Sequence, residues 1–108
     1  MNNKISVIIS SRNRLSLLEQ ALECFLNQSL NFDQYEILVG DSYATDKADR
    51  LINKLRVKYP LASLRYYYVA TVGGLTLTRN VLVENCKNDI IVQGDDDAMP
   101  GSNYLEEA

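Results

Sequence analysis

The sequence predicts an α/β fold: a mostly parallel sheet sandwiched between helices in three layers. Three observations point there. Four strand-length runs, Ile5–Ile9, Tyr35–Val39, Leu64–Val69 and Asp89–Gln93, are rich in apolar and β-forming residues. Segments with apolar residues at helical spacing separate them, and such alternation gives parallel strands joined by right-handed crossovers. Polar residues gather just past each run, where open α/β sheets place their chemistry.

The first run, Ile5–Ile9, is apolar on both faces apart from Ser6, as a central parallel strand requires. Leu15, Leu18, Leu22, Phe25 and Leu26 then recur at helical spacing, and Ser16 and Glu19 have the spacing of a capping box that would start the regular helix there. After the second run, Asp46 can cap a helix whose apolar stripe is Ala48, Leu51, Ile52, Leu55 and Tyr59 and which Pro60 stops. The third run contains Tyr66-Tyr67-Tyr68; alternation sets Tyr67 opposite the other two, which favours a core or edge role over a stacking surface. Gly73-Gly74 opens a third helix reaching about Cys86. After the fourth run, Pro100-Gly101 leads to the start of a last helix over Asn103–Ala108. The chain stops soon after the fourth strand, so the sheet is expected to be truncated there.

A length of 108 residues suits one domain. A hydrophobic share of 46% supplies a modest core. The net charge of -3 argues against nucleic acid as a partner, which wants a basic face. Histidine is absent, which removes imidazole chemistry and disfavours zinc. Cys24 and Cys86 lack metal-ligand spacing and read as small buried hydrophobes inside helices. No apolar stretch approaches the roughly 20 residues of a membrane span, and the N-terminus lacks signal-peptide features, so the chain is read as cytoplasmic.

Candidate ligand groups follow each strand. Ser10, Ser11, Arg12, Asn13 and Arg14 follow the first; Asp41, Ser42 and Asp46 the second; Gly73-Gly74 and Arg79 the third; Asp95, Asp96 and Asp97 the fourth. With strand order 3-2-1-4, the second and fourth strands lie two spacings apart, about 10 Å, comparable to a nucleoside diphosphate. Three adjacent carboxylates repel, and a shared cation is the simplest relief; oxygen ligands without His or Cys select Mg²⁺ or Mn²⁺. The competing reading is an acidic surface turn. Asp41 could accept a ring N–H of a base, or serve only as a turn or capping residue. Arg79, on a helix opened by two glycines, suits a diphosphate, or is a solvated surface residue.

Together these segments resemble the family 2 glycosyltransferases of GT-A fold (nucleotide-diphospho-sugar transferase-like). Residues 5–14, ISVIISSRNR, look like the family's V-S-V-I-I-P-T-Y-N-R opening. LECFLNQ (22–28) is similar to L-x-S-[IL]-L-x-Q, and EILVGDSYATD (36–46) to E-I-I-V-V-D-D-G-S-T-D. GLTLTRN (74–80) is similar to G-x-x-x-A-R-N, and GDDDAMPGSNYL (94–105) to L-D-D-D-x-x-P-x-x-x-x-L. The departures are Ser10 for Pro, Ser11 for Thr, Arg12 for Tyr, Ser42 for the second Asp, Tyr43 for Gly, Gly94 for an apolar residue, and a polar Gln93.

The resemblance implies an inverting, metal-dependent transfer from a nucleotide sugar, a UDP-sugar by preference, to a saccharide or lipid-linked acceptor. Ser11 and Asn13 would line the nucleoside pocket, with Ser10 grouped among the nucleotide contacts. Asp41 would read the base and Arg79 would lie near the diphosphate. Asp95 and Asp97 would meet the ribose and the metal, Asp97 being preferred as direct ligand; Asp96 remains a nucleotide contact, and the division among the three stays open. Residues 1–108 would form the N-terminal donor-binding half, with the acceptor-binding half and the catalytic base absent. Glu106 and Glu107 match no motif for that base. The resemblance leaves room for peripheral membrane association of a full-length parent. Three rival readings compete with this one. A binding-only relative would hold nucleotide without transfer. A receiver-type signalling domain wants acids where Ser10-Ser11 and Ala70-Thr71 stand, and a nucleotidyltransferase wants a Gly-rich loop after the first strand.

Overall fold

The computed structural model describes residues 4–11, 15–28, 30–41, 46–68, 74–88 and 90–95. Four strands and three helices alternate: β1 (Ile5–Ser11), α1 (Leu15–Leu26), β2 (Tyr35–Asp41), α2 (Asp46–Lys58), β3 (Ser63–Tyr68), α3 (Gly74–Glu84) and β4 (Ile90–Asp95), with a short 3-10 turn, Phe32–Gln34, before β2. The sheet order is β3-β2-β1-β4 and every pairing is parallel. This is the expected order, and the switch point falls between β1 and β4.

Period-2 alternation divides the side chains between two helical layers. On one face, Ile5, Val7 and Ile9 of β1, Tyr35, Ile37 and Val39 of β2 and Leu64 of β3 pack with Leu18, Leu22, Phe25 and Leu26 of α1 and Leu51, Ile52 and Leu55 of α2. Each such side chain, buried completely, is worth about 1.5–3 kcal/mol, so this layer is the main source of stability. On the other face α3 covers β1 and β2, and the smaller cluster is Ile8, Leu38 and Leu82, with Tyr67 and Cys86 against it. The tyrosine run divides as alternation requires: Tyr66 packs on the large cluster, Tyr67 on the small one, and Tyr68 is exposed on the edge strand.

Several expected boundaries move. β1 and β2 run two residues past their apolar runs, to Ser11 and Asp41, and β4 runs from Ile90 to Asp95 rather than from Asp89 to Gln93. Polar side chains do not interrupt a ladder built from backbone groups, so pairing outlasts hydrophobicity. β3 begins one residue earlier, at Ser63. Helix α1 starts at Leu15, so Ser16 lies within it, and the Glu19 carboxylate accepts from Lys54 Nζ of α2 at 2.6 Å. Helix α3 ends at Glu84; Asn85 and Cys86 close it through i→i−3 bonds to Leu82 and Val83 carbonyls, so Cys86 lies beyond the helix. Both cysteines are half-buried and neither forms a disulfide with the other, and burial pushes the Cys86 thiol up. The capping side chain of Asp46, Gly73, and the expected helix over 103–108 lie outside what is described.

Gly94 has a packing reason. A Cβ there would lie 2.9 Å from both Cε2 and Cζ of Phe25 and 3.4 Å from Ile9 Cγ1. The Phe25 ring of α1 takes the space that an apolar side chain on β4 would otherwise fill, so a large residue on the helix is matched by none on the strand. Among the described residues, no helix is long and apolar enough to cross a membrane.

Candidate functional site

The ladder sets the spacing of the candidate residues. Ser10 pairs with Gly40 of β2 on one side and with Asp95 of β4 on the other. The next rung pairs Ser11 with Asp41, and Asp41 with Tyr68 of β3. Asp41 and Asp95 therefore stand on neighbouring rungs at the carboxyl edge, about 10 Å apart across β1. Ser10 is half-buried. For Ser11 and Asp95 the strand position is described and the side chain is not.

Asp41 is 2% exposed. One carboxylate oxygen, Oδ2, accepts the Tyr66 hydroxyl at 3.2 Å. Burial pushes the Tyr66 phenol well above its usual range, and the adjacent Asp41 charge and hydrogen bond push it further. A phenol is protonated at neutral pH in any case, and the shift extends its donation to higher pH. Sequence reasoning missed this contact. Its only trace in the sequence was a polar-capable aromatic on a neighbouring strand, which alternation would place on the same face as Asp41.

Arg79 lies five residues into α3, about 7.5 Å along its axis from Gly74, and is exposed. Asn85 and Lys87, just past the C-terminal end of α3, meet Arg65 and Glu36 at the amino end of the sheet, so the helix N-terminus faces the same end as Asp41 and Asp95. The structure thus brings Ser10, Ser11, Asp41 and Asp95 to adjoining rungs and leaves Arg79 on the covering helix. Asn13, Asp96 and Asp97 lie outside the described residues. Among the described residues, no three acidic, His or Cys side chains cluster as a metal site. The donor chemistry at this edge, hydroxyl and carboxylate oxygens only, nevertheless fits a hard divalent cation.

The opposite end of the sheet carries a second buried acid that the sequence did not single out. Glu36 accepts from Ser6 Oγ at 2.6 Å, from the Lys87 backbone N–H at 2.8 Å and from Arg65 Nη2 at 2.5 Å. Arg65 also donates to the Asn85 carbonyl at 2.9 Å and to Tyr67 Oη at 2.9 Å. The Asn88 backbone N–H donates to Ser6 Oγ at 3.3 Å, and its side chain to the Ile5 carbonyl at 3.1 Å. Burial raises the Glu36 carboxyl, but the three donors outweigh it and hold the group below its usual range. This network ties the α3–β4 connection to β1, β2 and β3, far from the candidate site.

Comparisons with known proteins bear on the family and the fold. The family model described as glycosyl transferase family 2 matches residues 6–108. A poly(ribitol-phosphate) beta-glucosyltransferase of Bacillus spizizenii is 29% identical over 102 residues, covering 94% of this chain and 16% of its own length. A dolichyl N-acetyl-alpha-D-glucosaminyl phosphate 3-beta-D-2,3-diacetamido-2,3-dideoxy-beta-D-glucuronosyltransferase of Methanococcus voltae is 34% identical over 65 residues, 60% of this chain and 20% of its own. The chain thus spans a fifth or less of these relatives. Among solved structures, S. aureus TarS in complex with UDP-GlcNAc superposes with TM-score 0.86 at 23% identity, over 96% of this chain and 29% of that one. The mannosyltransferase PcManGT from Pyrobaculum calidifontis, in complex with GDP-Man and Mn²⁺, gives 0.83 at 23%, over 92% and 29%. These likenesses establish the GT-A fold. With the motifs in order, the parallel 3-2-1-4 sheet and a family match over nearly the whole length, the chain belongs to glycosyl transferase family 2.

Proposed function

We propose that this chain is the donor-binding half of a metal-dependent, inverting glycosyltransferase, and that its donor is a UDP-sugar. The observation that carries the reading is the placement of Ser10, Ser11, Asp41 and Asp95 on adjoining rungs at one sheet edge, at the span of a nucleoside diphosphate. Support also comes from the solved neighbours, one in complex with UDP-GlcNAc and another with GDP-Man and Mn²⁺.

In this reading Asp41 accepts the ring N–H of the base, while Ser10, Ser11 and Asn13 line the nucleoside pocket. Asp95 and Asp96 meet the nucleotide beyond the base, and Arg79 offers its guanidinium to the diphosphate. Asp95 and Asp97 would hold Mg²⁺ or Mn²⁺, which when bound offsets negative charge on the departing diphosphate. The acceptor is a saccharide or a lipid-linked saccharide, and the carboxylate that activates its hydroxyl belongs to the rest of the protein. The chain alone is expected to bind donor without transferring sugar.

Calorimetric titration of the chain with UDP, dTDP and GDP, each with and without Mn²⁺, tests this. UDP is expected to bind most tightly and only with the metal. Equal heats with and without Mn²⁺ would overturn the role given to Asp95 and Asp97.

A further inference from the structure

Asp41 and Tyr66 sit on neighbouring strands in a fixed geometry. β2 and β3 pair with Asp41 opposite Tyr68 and Val39 opposite Tyr66, so Tyr66 lies two residues back on the same face. Its ring packs on the large core cluster. Its hydroxyl reaches Asp41 Oδ2 at 3.2 Å. The terminal torsion of an aspartate is broad and roughly two-fold, so the carboxylate plane is set by what bonds to it. Tyr66, one donor to this carboxylate, is itself anchored by core packing.

We propose that Tyr66 is a specificity-determining positioning residue: its hydroxyl orients the Asp41 carboxylate toward a base that offers a ring N–H, so that the pocket takes uracil and rejects cytosine. This rests on Asp41 being the base reader proposed above. The chemistry of the two bases makes the distinction sharp. Uracil presents N3–H as a donor, whereas cytosine presents N3 as an acceptor, and a fixed carboxylate facing it sets two acceptors against each other. Sites built to receive a hydrogen bond reject the ligand that lacks the donor far more strongly than apolar pockets reject a shape. That discrimination depends on the carboxylate holding one direction. A phenol is protonated across the neutral range, and burial beside Asp41 keeps Tyr66 a donor to still higher pH.

A purely structural role would look different. If the bond only satisfied a buried acid, losing it would lower melting temperature and weaken all nucleotides alike. The test is calorimetric titration of the 108-residue chain with UDP and with CDP, both with Mn²⁺, for the wild type, Tyr66→Phe, Asp41→Asn and the double variant. The wild type is expected to prefer UDP. Tyr66→Phe is expected to weaken UDP about tenfold, the scale of a lost hydrogen bond to a charged group, while CDP changes less than about twofold. Asp41→Asn, whose amide both donates and accepts, should bring the two nucleotides close together, and adding Tyr66→Phe should then leave their ratio unchanged.

An unaltered UDP-to-CDP ratio in Tyr66→Phe, beside a discriminating wild type, overturns the role of Tyr66 and leaves the base reader standing. A wild type that binds the two equally overturns the base reader and this inference with it. A wild type that binds neither overturns the proposed function. A crystal structure of the wild type with UDP and Mn²⁺ supplies a test independent of any variant's folding. Tyr66 Oη should remain within hydrogen-bond reach of Asp41 while that carboxylate meets N3, and a Tyr66 hydroxyl turned away from Asp41 would overturn the proposal.

Discussion

Strand β2 carries a buried carboxylate near each end, and the protein handles the two in different ways. Glu36, at the amino end, is met by a guanidinium, a hydroxyl and a backbone N–H, all from its own chain. Asp41, at the carboxyl end, takes a bond from a neutral phenol and stands on the rung beside the one that holds Ser10 and Asp95. The same strand, five residues apart, thus supports an acid that fastens the scaffold and an acid at the edge proposed to receive the donor. Burial alone does not separate them; their places on the sheet do.

The largest expected effect breaks the amino-end acid. Glu36→Ala strips Ser6 and the Lys87 N–H of their acceptor and leaves Arg65 without a counter-ion. Losing one member of a fully buried pair costs about 3–5 kcal/mol, and because the Arg65 side chain is 26% exposed, solvent takes up part of that. A loss of about 3 kcal/mol by urea denaturation is expected. Since the folded-state carboxyl lies below its unfolded value of about 4.3, its stabilisation is present above that pH and disappears as the pH falls through the folded-state value. The variant should lack this part of the acid limb. Asp41→Asn, by contrast, keeps an acceptor for Tyr66 and should cost about 1 kcal/mol or less, its main consequence under the proposed base-reading role being a change in nucleotide preference. Equal destabilisation by the two substitutions would erase the distinction between the two ends.

A smaller effect probes packing beside the carboxyl edge. Gly94→Val drives a side chain into the Phe25 ring and should cost about 2 kcal/mol by thermal denaturation. Combining it with Phe25→Leu should recover part of that loss, so that the double variant is more stable than the sum of the single changes predicts. Strict additivity would show that the ring moves aside unaided. The smallest effect lies on the surface. Lys54 bridges Glu19 at 2.6 Å between α1 and α2, but its side chain is 63% exposed, and Lys54→Ala should change stability by no more than about 0.5 kcal/mol. A loss comparable to that of Glu36→Ala would mean that surface pairs rival the buried network.

Much of this architecture was legible in the residues. Apolar runs marked all four strands, helical spacing marked the helices between them, and Pro60 marked the end of α2, because burial on a sheet or helix face imposes a period that survives in sequence. The strand ends were less legible. Ser10, Ser11, Asp41 and Asp95 belong to the ladder, yet their polarity reads as loop, since backbone pairing leaves no mark on side-chain type. The capping-box spacing of Ser16 and Glu19 misled for a related reason: the helix begins at Leu15, and Glu19 answers to Lys54 on another helix. The Ser6–Glu36–Arg65 network and the Tyr66–Asp41 contact join residues 25 to 30 positions apart, and no local pattern announces them. Gly94 departs from the family's apolar residue, and the Phe25 ring, invisible to local pattern, explains it.

The parallel register has a practical consequence for altering the protein. Because Ser10, Asp95, Ser11 and Asp41 inherit their separations from main-chain bonds, exchanging their side chains leaves the distances between attachment points intact. The edge behaves like a pegboard whose holes are drilled by the backbone, so the donor-binding role proposed for it can be probed by changing the pegs without rebuilding the board.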